Sequence, residues 1–580
     1  MDLAKSDSST FNVIFNASPL DYPQWRLDPL VGSLVAESCH AHSAADRELS
    51  RLVPRCHLIE EIEAALASWF PWTAHHRRDP IARVPGAFGC GAWTLLSDLS
   101  LLRAVMPTVL LIVSFLAWYH GATSSKKSKL PLPPGSLGLP IIGETLSLVF
   151  QGPKFFDGRR ERYGSVYKTH LLGSPLIRVS GPDNVRKILL SENKLVTVYW
   201  PSSVRALLGE GTVSSAMGNL HRTRRKALQR AFCYEALSEY LPVMQKVVRD
   251  HIRRWCLEKV VRGYQECKNM TFAVSAETLA GFDMDSEKYR SLVHVFDVFA
   301  DNLFCLPYHV PGLGFSKGMS ARKRLLDEIG ESLTRKTKRA EVEGVSNGSR
   351  NSRDALSRLL EDQGEESLTS SELKELCLEL LFAGHATTAS AATSLILQLY
   401  KHRGVLSKVQ EELKANNLSE PGQGDLNMAS LGQLEYVSAV VKEVLRLLPP
   451  VGGAYRTVLK SFTLNGYEIP AGWTLMYNIR NTHNSSDLFS NGDTFDPDRW
   501  LHHSSSSREE KFHYLPFGGG TRACVGKEFA KLFLKVFVVE IVRSCSWQLE
   551  NDDVTMSYLP VPHPADGLPL SFTSIPSASL

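Results

Sequence analysis

Phe517–Arg543 reads FGGGTRACVGKEFAKLFLKVFVVEIVR, and the way this stretch folds decides how the whole chain is read. Three successive glycines, Gly518, Gly519 and Gly520, let the backbone turn tightly and approach a flat ligand without side-chain clash. Cys524 follows, just ahead of an amphipathic helix expected to start near Gly526. A helix N-terminus is electropositive and presents free N–H groups, so a thiol placed there is expected to ionise more readily than usual. Thiolate is the form that ligates iron and pushes electron density toward O–O cleavage. Taken alone, a cysteine before a helix is most often a small core residue, and the choice rests on what the rest of the chain supplies.

Outward from that stretch, the bulk properties are those of a large globular protein. The chain has 580 residues, of which 43% are hydrophobic and 22% charged. Its formal charge is only +4, and no basic stripe is interleaved with aromatics, so a nucleic-acid partner is set aside. Ten cysteines are scattered without a CxxC pair. That spacing suits neither a disulfide framework nor a zinc site, and fits reduced thiols facing the cytosol.

Residues 1–97 mix Ser and His with short apolar bursts, show no sustained period and are assigned no function. From Ala104 to Tyr119 the chain reads AVMPTVLLIVSFLAWY, sixteen residues without a charge. Counting from Leu101, with Arg103 snorkelling to the interface, the stretch approaches the ~20 residues a spanning helix needs. Trp118 and Tyr119 stand where an aromatic belt would be, and Lys126, Lys127 and Lys129 mark a cytoplasmic side. Residues 101–119 therefore read as a single transmembrane anchor. The Pro- and Gly-rich segment Leu130 to Glu144 reads as a stiff connector into a body spanning 130–580. That body is expected to be mainly α with small β-sheets, an α+β class. Strand-like runs such as SPLIRVSG and FTLNGYEIP alternate with long helical patterns. Val342 to Ser370 and the HHSSSS run after Leu501 read as surface loops. The longest helix is expected from Glu372 to about Lys401, with Ser and Glu at its cap. The AGHATT cluster from Ala383 to Thr388 suggests local unwinding or close approach to a ligand.

Two further constellations stand out. Glu443 and Arg446 lie three apart, so they share a helix face and can pair. His221 and Arg225 lie four apart on another helix. Each is most often a solvated surface feature. Together with Phe517, Gly520, Arg522, Cys524 and Gly526, however, they occur in the order that resembles the cytochromes P-450. The loop matches that family's haem-binding signature, and the resemblance covers about residues 130 to 575.

The resemblance implies a cytochrome P-450 fold holding haem b, with Cys524 as axial thiolate to the iron. It implies that Phe517, Gly518, Arg522, His221, Arg225 and Arg456 contact the cofactor, the basic and donor groups holding its propionates. It implies a structural cluster of Glu443, Arg446 and Arg499 (from FDPDRW) beneath the haem. AGHATT resembles the oxygen-activating segment of the distal helix, with Thr387 as the catalytic hydroxyl. The acid usually found before that threonine is replaced by Ala386, which puts the proton relay in doubt. His385 is a poor substitute, because consecutive residues point about 100° apart around a helix.

Several stretches, among them VYWPSSVRALLGEG, DNLFCLPYHVPGLG and HPADGLPLSF, are similar to the retinoic-acid-hydroxylating members of that family. The implied reaction inserts one oxygen atom of O2 into a C–H bond of a lipophilic substrate, with electrons from NADPH through a reductase. By family position Trp200, Pro201, Val204, Phe299, Phe304, Ala383, Val451 and Tyr455 are expected to line the substrate tunnel. The implied location is the endoplasmic reticulum membrane with the catalytic body in the cytosol. A sterol or terpenoid hydroxylase, a peroxide-rearranging enzyme, or a non-catalytic haem-thiolate retinoid-binding or sensor protein are the alternatives.

Overall fold

The structure, a computed structural model, describes residues 130–576 except 140–141, 172, 283–284, 344–353, 361–367, 421–424, 502–509 and 559. It also describes six positions between Met106 and Phe115, where the chain is helical. The expected extension at 1–97, the HHSSSS loop and most of the expected anchor lie outside the described residues.

Helices dominate, and the longest runs from Ser370 to Lys401. Its cap is Thr369, whose hydroxyl accepts from the Glu372 N–H while the Glu372 carboxylate accepts from the Thr369 N–H. The cap thus lies just before the serines from which it was expected. The helix stays α-helical throughout, so AGHATT causes no unwinding. Gly384 serves close approach instead: a Cβ there would lie 2.9 Å from Ser275 Oγ on the neighbouring helix Gly263–Ser275. Around this axis pack the helices Gly314–Glu343, Glu435–Leu447 and Lys527–Ser544. One continuous apolar core fills the space between them, with Leu381, Leu395, Val440, Phe533 and Phe537 fully enclosed.

The largest sheet has five strands in the order 166–171, 174–179, 474–478, 453–458, 196–198. Only the pair 174–179 and 474–478 is parallel. The run FTLNGYEIP forms a separate hairpin, Phe462–Leu464 against Tyr467–Ile469. Asn465 and Gly466 both take positive φ there, as a two-residue turn matching the strand twist requires.

The segment between Val342 and Ser370 is not all surface loop. Ala355–Leu360 forms a helix whose Ala355, Leu356 and Leu359 are buried, because the spacing of ALSRLL offers one apolar stripe to the core. Asp354, just before it, pairs with Lys336.

Candidate functional site

Gly518 and Gly520 adopt φ of +65° and +67°, which L side chains rarely do. A Cβ on Gly520 would also sit 2.5 Å from the Leu189 carbonyl oxygen. The loop closes where the Cys524 N–H donates to the Phe517 carbonyl at 2.9 Å. Gly526 caps the helix that follows, and its N–H lies against the Cys524 sulfur. Cys524 is an exposed residue of this loop, yet protein atoms crowd round its thiol. Burial raises its thiol pKa, and the Gly526 N–H, Arg225 and Lys527 only partly offset this. The readily ionised thiol expected from the helix terminus is therefore not found in the protein by itself: desolvation outweighs the helix end. A cation bonded to the sulfur would restore the thiolate.

Beside this loop the fold gathers His221, Arg225, Arg456 and Arg522. Arg522 donates through Nη1 to the Val213 carbonyl (3.1 Å) and through Nη2 to the Ala216 carbonyl (2.8 Å). A residue the sequence did not point to ties the group together. The Glu192 carboxylate accepts from Arg456 Nε at 3.0 Å and from Arg522 Nε at 3.2 Å, with its side chain 4% exposed. It also accepts from the Val198 N–H at 3.2 Å. His221 is buried, its Nε2 has no hydrogen-bond partner, and its pKa is lowered to about 4 by burial and by Arg522 and Arg225. It is a neutral donor at pH 7 and adds no charge. Three guanidiniums against one carboxylate leave two positive charges, the complement of two propionates. The orphaned imidazole nitrogen, the net charge and the exposed cysteine beside them fit a haem.

Glu443, Arg446 and Arg499 are brought together and enclosed. Glu443 and Arg446 are both 0% exposed, and Arg446 grips the carboxylate in bidentate fashion with Nε and Nη2 at 2.9 Å. Arg499 Nε adds a bond at 3.1 Å. Trp500 Nε1 and the Asp496 N–H, both missed from sequence, each donate to Glu443 at 2.9 Å. The arginines are anchored in turn on the carbonyls of Gly492, Thr494 and Ser490. The adjacent His483 is held by the Arg446 carbonyl and the Leu515 N–H, at 2.9 and 2.8 Å.

On the long helix, Thr387 Oγ1 donates to the Ala383 carbonyl at 2.6 Å, which leaves its lone pairs free to accept. Ala383 is exposed and Ala386 partly so. His385 points away into the core, with Phe296 and Phe272 edge-on at 4.9 and 6.3 Å. Burial lowers its pKa to about 3, so it stays neutral and supplies no acid. Nearer the helix start, both oxygens of Glu379 accept backbone N–H groups, Val213 and Ser214, at 2.8 Å. The loop 211–216 is thus held between the long helix and Arg522.

The expected tunnel residues divide. Ala383, Phe304, Val451 and Tyr455 are exposed, and Trp200 and Pro201 half-buried. The Trp200 Nε1–H is buried without a partner. Val204 and Phe299 are buried in the main core, 1% and 0% exposed.

The family model for cytochrome P450 matches residues 133–565. Cytochrome P450 26B1 of Mus musculus is 44% identical over 495 residues, covering 83% of this chain and 95% of that protein. The Homo sapiens form is 43% identical over the same shares. Cytochrome P450 26A1 of Gallus gallus is 44% identical, covering 81% of this chain and 96% of that one. Among solved structures, the retinoic acid bound cyanobacterial CYP120A1 is similar with a TM-score of 0.68 and 33% identity. The match covers 77% of this chain and all of that one.

Proposed function

This chain belongs to the cytochrome P450 family, and from that membership we propose that it hydroxylates all-trans-retinoic acid on its ring, in retinoid catabolism. It is a haem-thiolate monooxygenase fed with electrons by an NADPH-dependent reductase. The observation that carries the substrate is the likeness, over 77% of this chain, to a relative solved with retinoic acid bound.

When bound, haem supplies the iron at which O2 is activated, so that one oxygen atom enters a C–H bond and the other leaves as water. The protein's own residues do the rest. Cys524 would ligate the iron through its thiolate. His221, Arg225, Arg456 and Arg522 would hold the propionates, and Phe517 and Gly518 would shape the loop that receives the cofactor. Thr387, its hydroxyl proton given to the Ala383 carbonyl, could accept a hydrogen bond from a water and so keep a proton in reach of bound oxygen. Ala386 offers no carboxylate to recharge that water, so protons arrive through solvent. Trp200, Pro201, Phe304, Ala383, Val451 and Tyr455 line the route of a long apolar acid. Glu443, Arg446 and Arg499 act on structure alone.

The uncharged run at 104–119, within the stretch 101–119, and the lysines after it support an anchor in the endoplasmic reticulum membrane, with a cytosolic catalytic domain at 130–580. Residues 1–97 are given no role. The substrate reading is tested by optical titration of the holoenzyme with all-trans-retinoic acid, a sterol and a fatty acid. Retinoic acid is expected to give the substrate-type shift at the lowest concentration. A sterol that binds more tightly, or a retinoic acid shift without product when reductase and NADPH are added, overturns it.

A further inference from the structure

Arginines hold a carboxylate well only when their planar forks are aimed beforehand, since an unrestrained arginine loses rotamer freedom on being fixed. Arg456 and Arg522 come from a strand and a loop, and one side chain restrains both. Glu192 takes the Nε–H of each, while its own Oε1 is fixed by the Val198 N–H beside Arg456 in the sheet. With Nε engaged, each fork presents its Nη side, where each terminal nitrogen still has a second N–H to give. We propose that Glu192 is a positioning residue for the haem: it aims Arg456 and Arg522 at the propionates and sets the net charge beside them. The inference rests on reading those arginines as propionate ligands.

Without the carboxylate, three guanidiniums face two propionates and one positive charge is left over. That excess disfavours the more positive ferric state, so the ferric/ferrous midpoint rises. The loosened forks also let haem go sooner.

The test uses the full-length holoenzyme and its Glu192→Gln, Glu192→Asp and Arg456→Gln variants, with the pair Glu192→Gln/Arg456→Gln. Two quantities are read besides activity: the rate of haem transfer to excess apomyoglobin, and the midpoint by spectroelectrochemical titration. Glu192→Gln is expected to release haem about tenfold faster, as loss of a group supporting a cofactor ligand does, and to shift the midpoint upward. Glu192→Asp, which keeps the charge, is expected to return the midpoint to that of the parent. The double variant is expected to release haem more slowly than the two single effects added. A Glu192→Gln enzyme with parental rate and midpoint, beside an Arg456→Gln enzyme that loses haem faster, overturns the role of Glu192 and leaves the arginine reading standing. Parental behaviour in both removes the arginine reading as well. Should Glu192→Gln not accumulate haem-loaded protein, the double variant decides. Recovery of holoprotein supports the proposal, because a surplus charge has been removed. Failure to recover means that Glu192 merely braces the strand at Val198, and the proposal falls.

Discussion

Replacing Glu443 by Gln keeps the shape of the side chain and removes its charge, which isolates what that carboxylate contributes. Five donors converge on its two oxygens: two from Arg446 and one each from Arg499, Trp500 and the Asp496 backbone. Glutamine offers one accepting oxygen and points its NH2 at donors that cannot accept. Two guanidiniums, 0% and 9% exposed, then lose their counter-charge. Breaking a buried ion pair by removing one partner costs about 3–5 kcal/mol. Against a whole-protein stability of roughly 5–15 kcal/mol, that is at least about a fifth of the total. An exposed pair provides the scale. Lys408 and Asp498 meet at 2.7 Å with side chains 50% and 41% exposed, and Lys408→Gln is expected to cost less than about 1 kcal/mol. The assay is denaturant titration of the holoprotein followed by the thiolate haem absorbance, with the haem-loaded yield recorded alongside. Glu443→Gln is expected to give a much lower midpoint and yield than either the parent or Lys408→Gln. If the two variants lie within about 1 kcal/mol of each other, the reasoning that this cluster is held by its buried carboxylate is refuted.

Cys524→Ser is expected to abolish the thiolate carbon monoxide band, whereas Ser at Cys267, Cys377 or Cys545 leaves it in place; a normal band from the Cys524 variant would sink the assignment. Ala386→Glu places a carboxylate beside Thr387 and is expected to raise product per NADPH and lower hydrogen peroxide release. The gain should be smaller than the ~10²-fold that a fully positioned proton donor contributes, since water already serves in part. Thr387→Ala is expected to do the opposite, and no change from either would mean protons take another route. His385 supplies a pH test: its pKa is lowered to about 3 from an ordinary 6.5, chiefly by burial. A depressed folded-state pKa contributes stability above pH 6.5 that is lost as pH falls toward 3. At pH 5 the loss is about 2 kcal/mol, and His385→Phe, apolar among Phe272 and Phe296, is expected to remove that part of the acid sensitivity. Parallel acid-unfolding curves for parent and variant would show that the imidazole does not titrate there.

What the sequence made legible was local. Gly518 and Gly520 announce a backbone that only glycine takes easily, and Cys524 is fixed relative to them by a few covalent bonds. The spacing of Glu443 and Arg446 follows from helix geometry, so the bidentate pair could be anticipated without knowing what encloses it. AGHATT is the instructive case. Its composition suggested unwinding, whereas Gly384 serves close contact with a neighbouring helix at Ser275.

The sequence by itself determined the proximal cysteine loop, the helix-borne pair and the placing of Thr387 on a long capped helix. In each case the partners are close along the chain and their relative positions follow from backbone geometry. Tertiary structure alone decided that Glu192 bridges Arg456 and Arg522, from 264 and 330 residues away. It alone put Val204 and Phe299 in the core, and it made His221 a neutral donor and Cys524 a thiol harder to ionise than usual. These outcomes depend on which distant segments meet and how much water they exclude, and no spacing along one chain encodes the local dielectric in which a charge ends up.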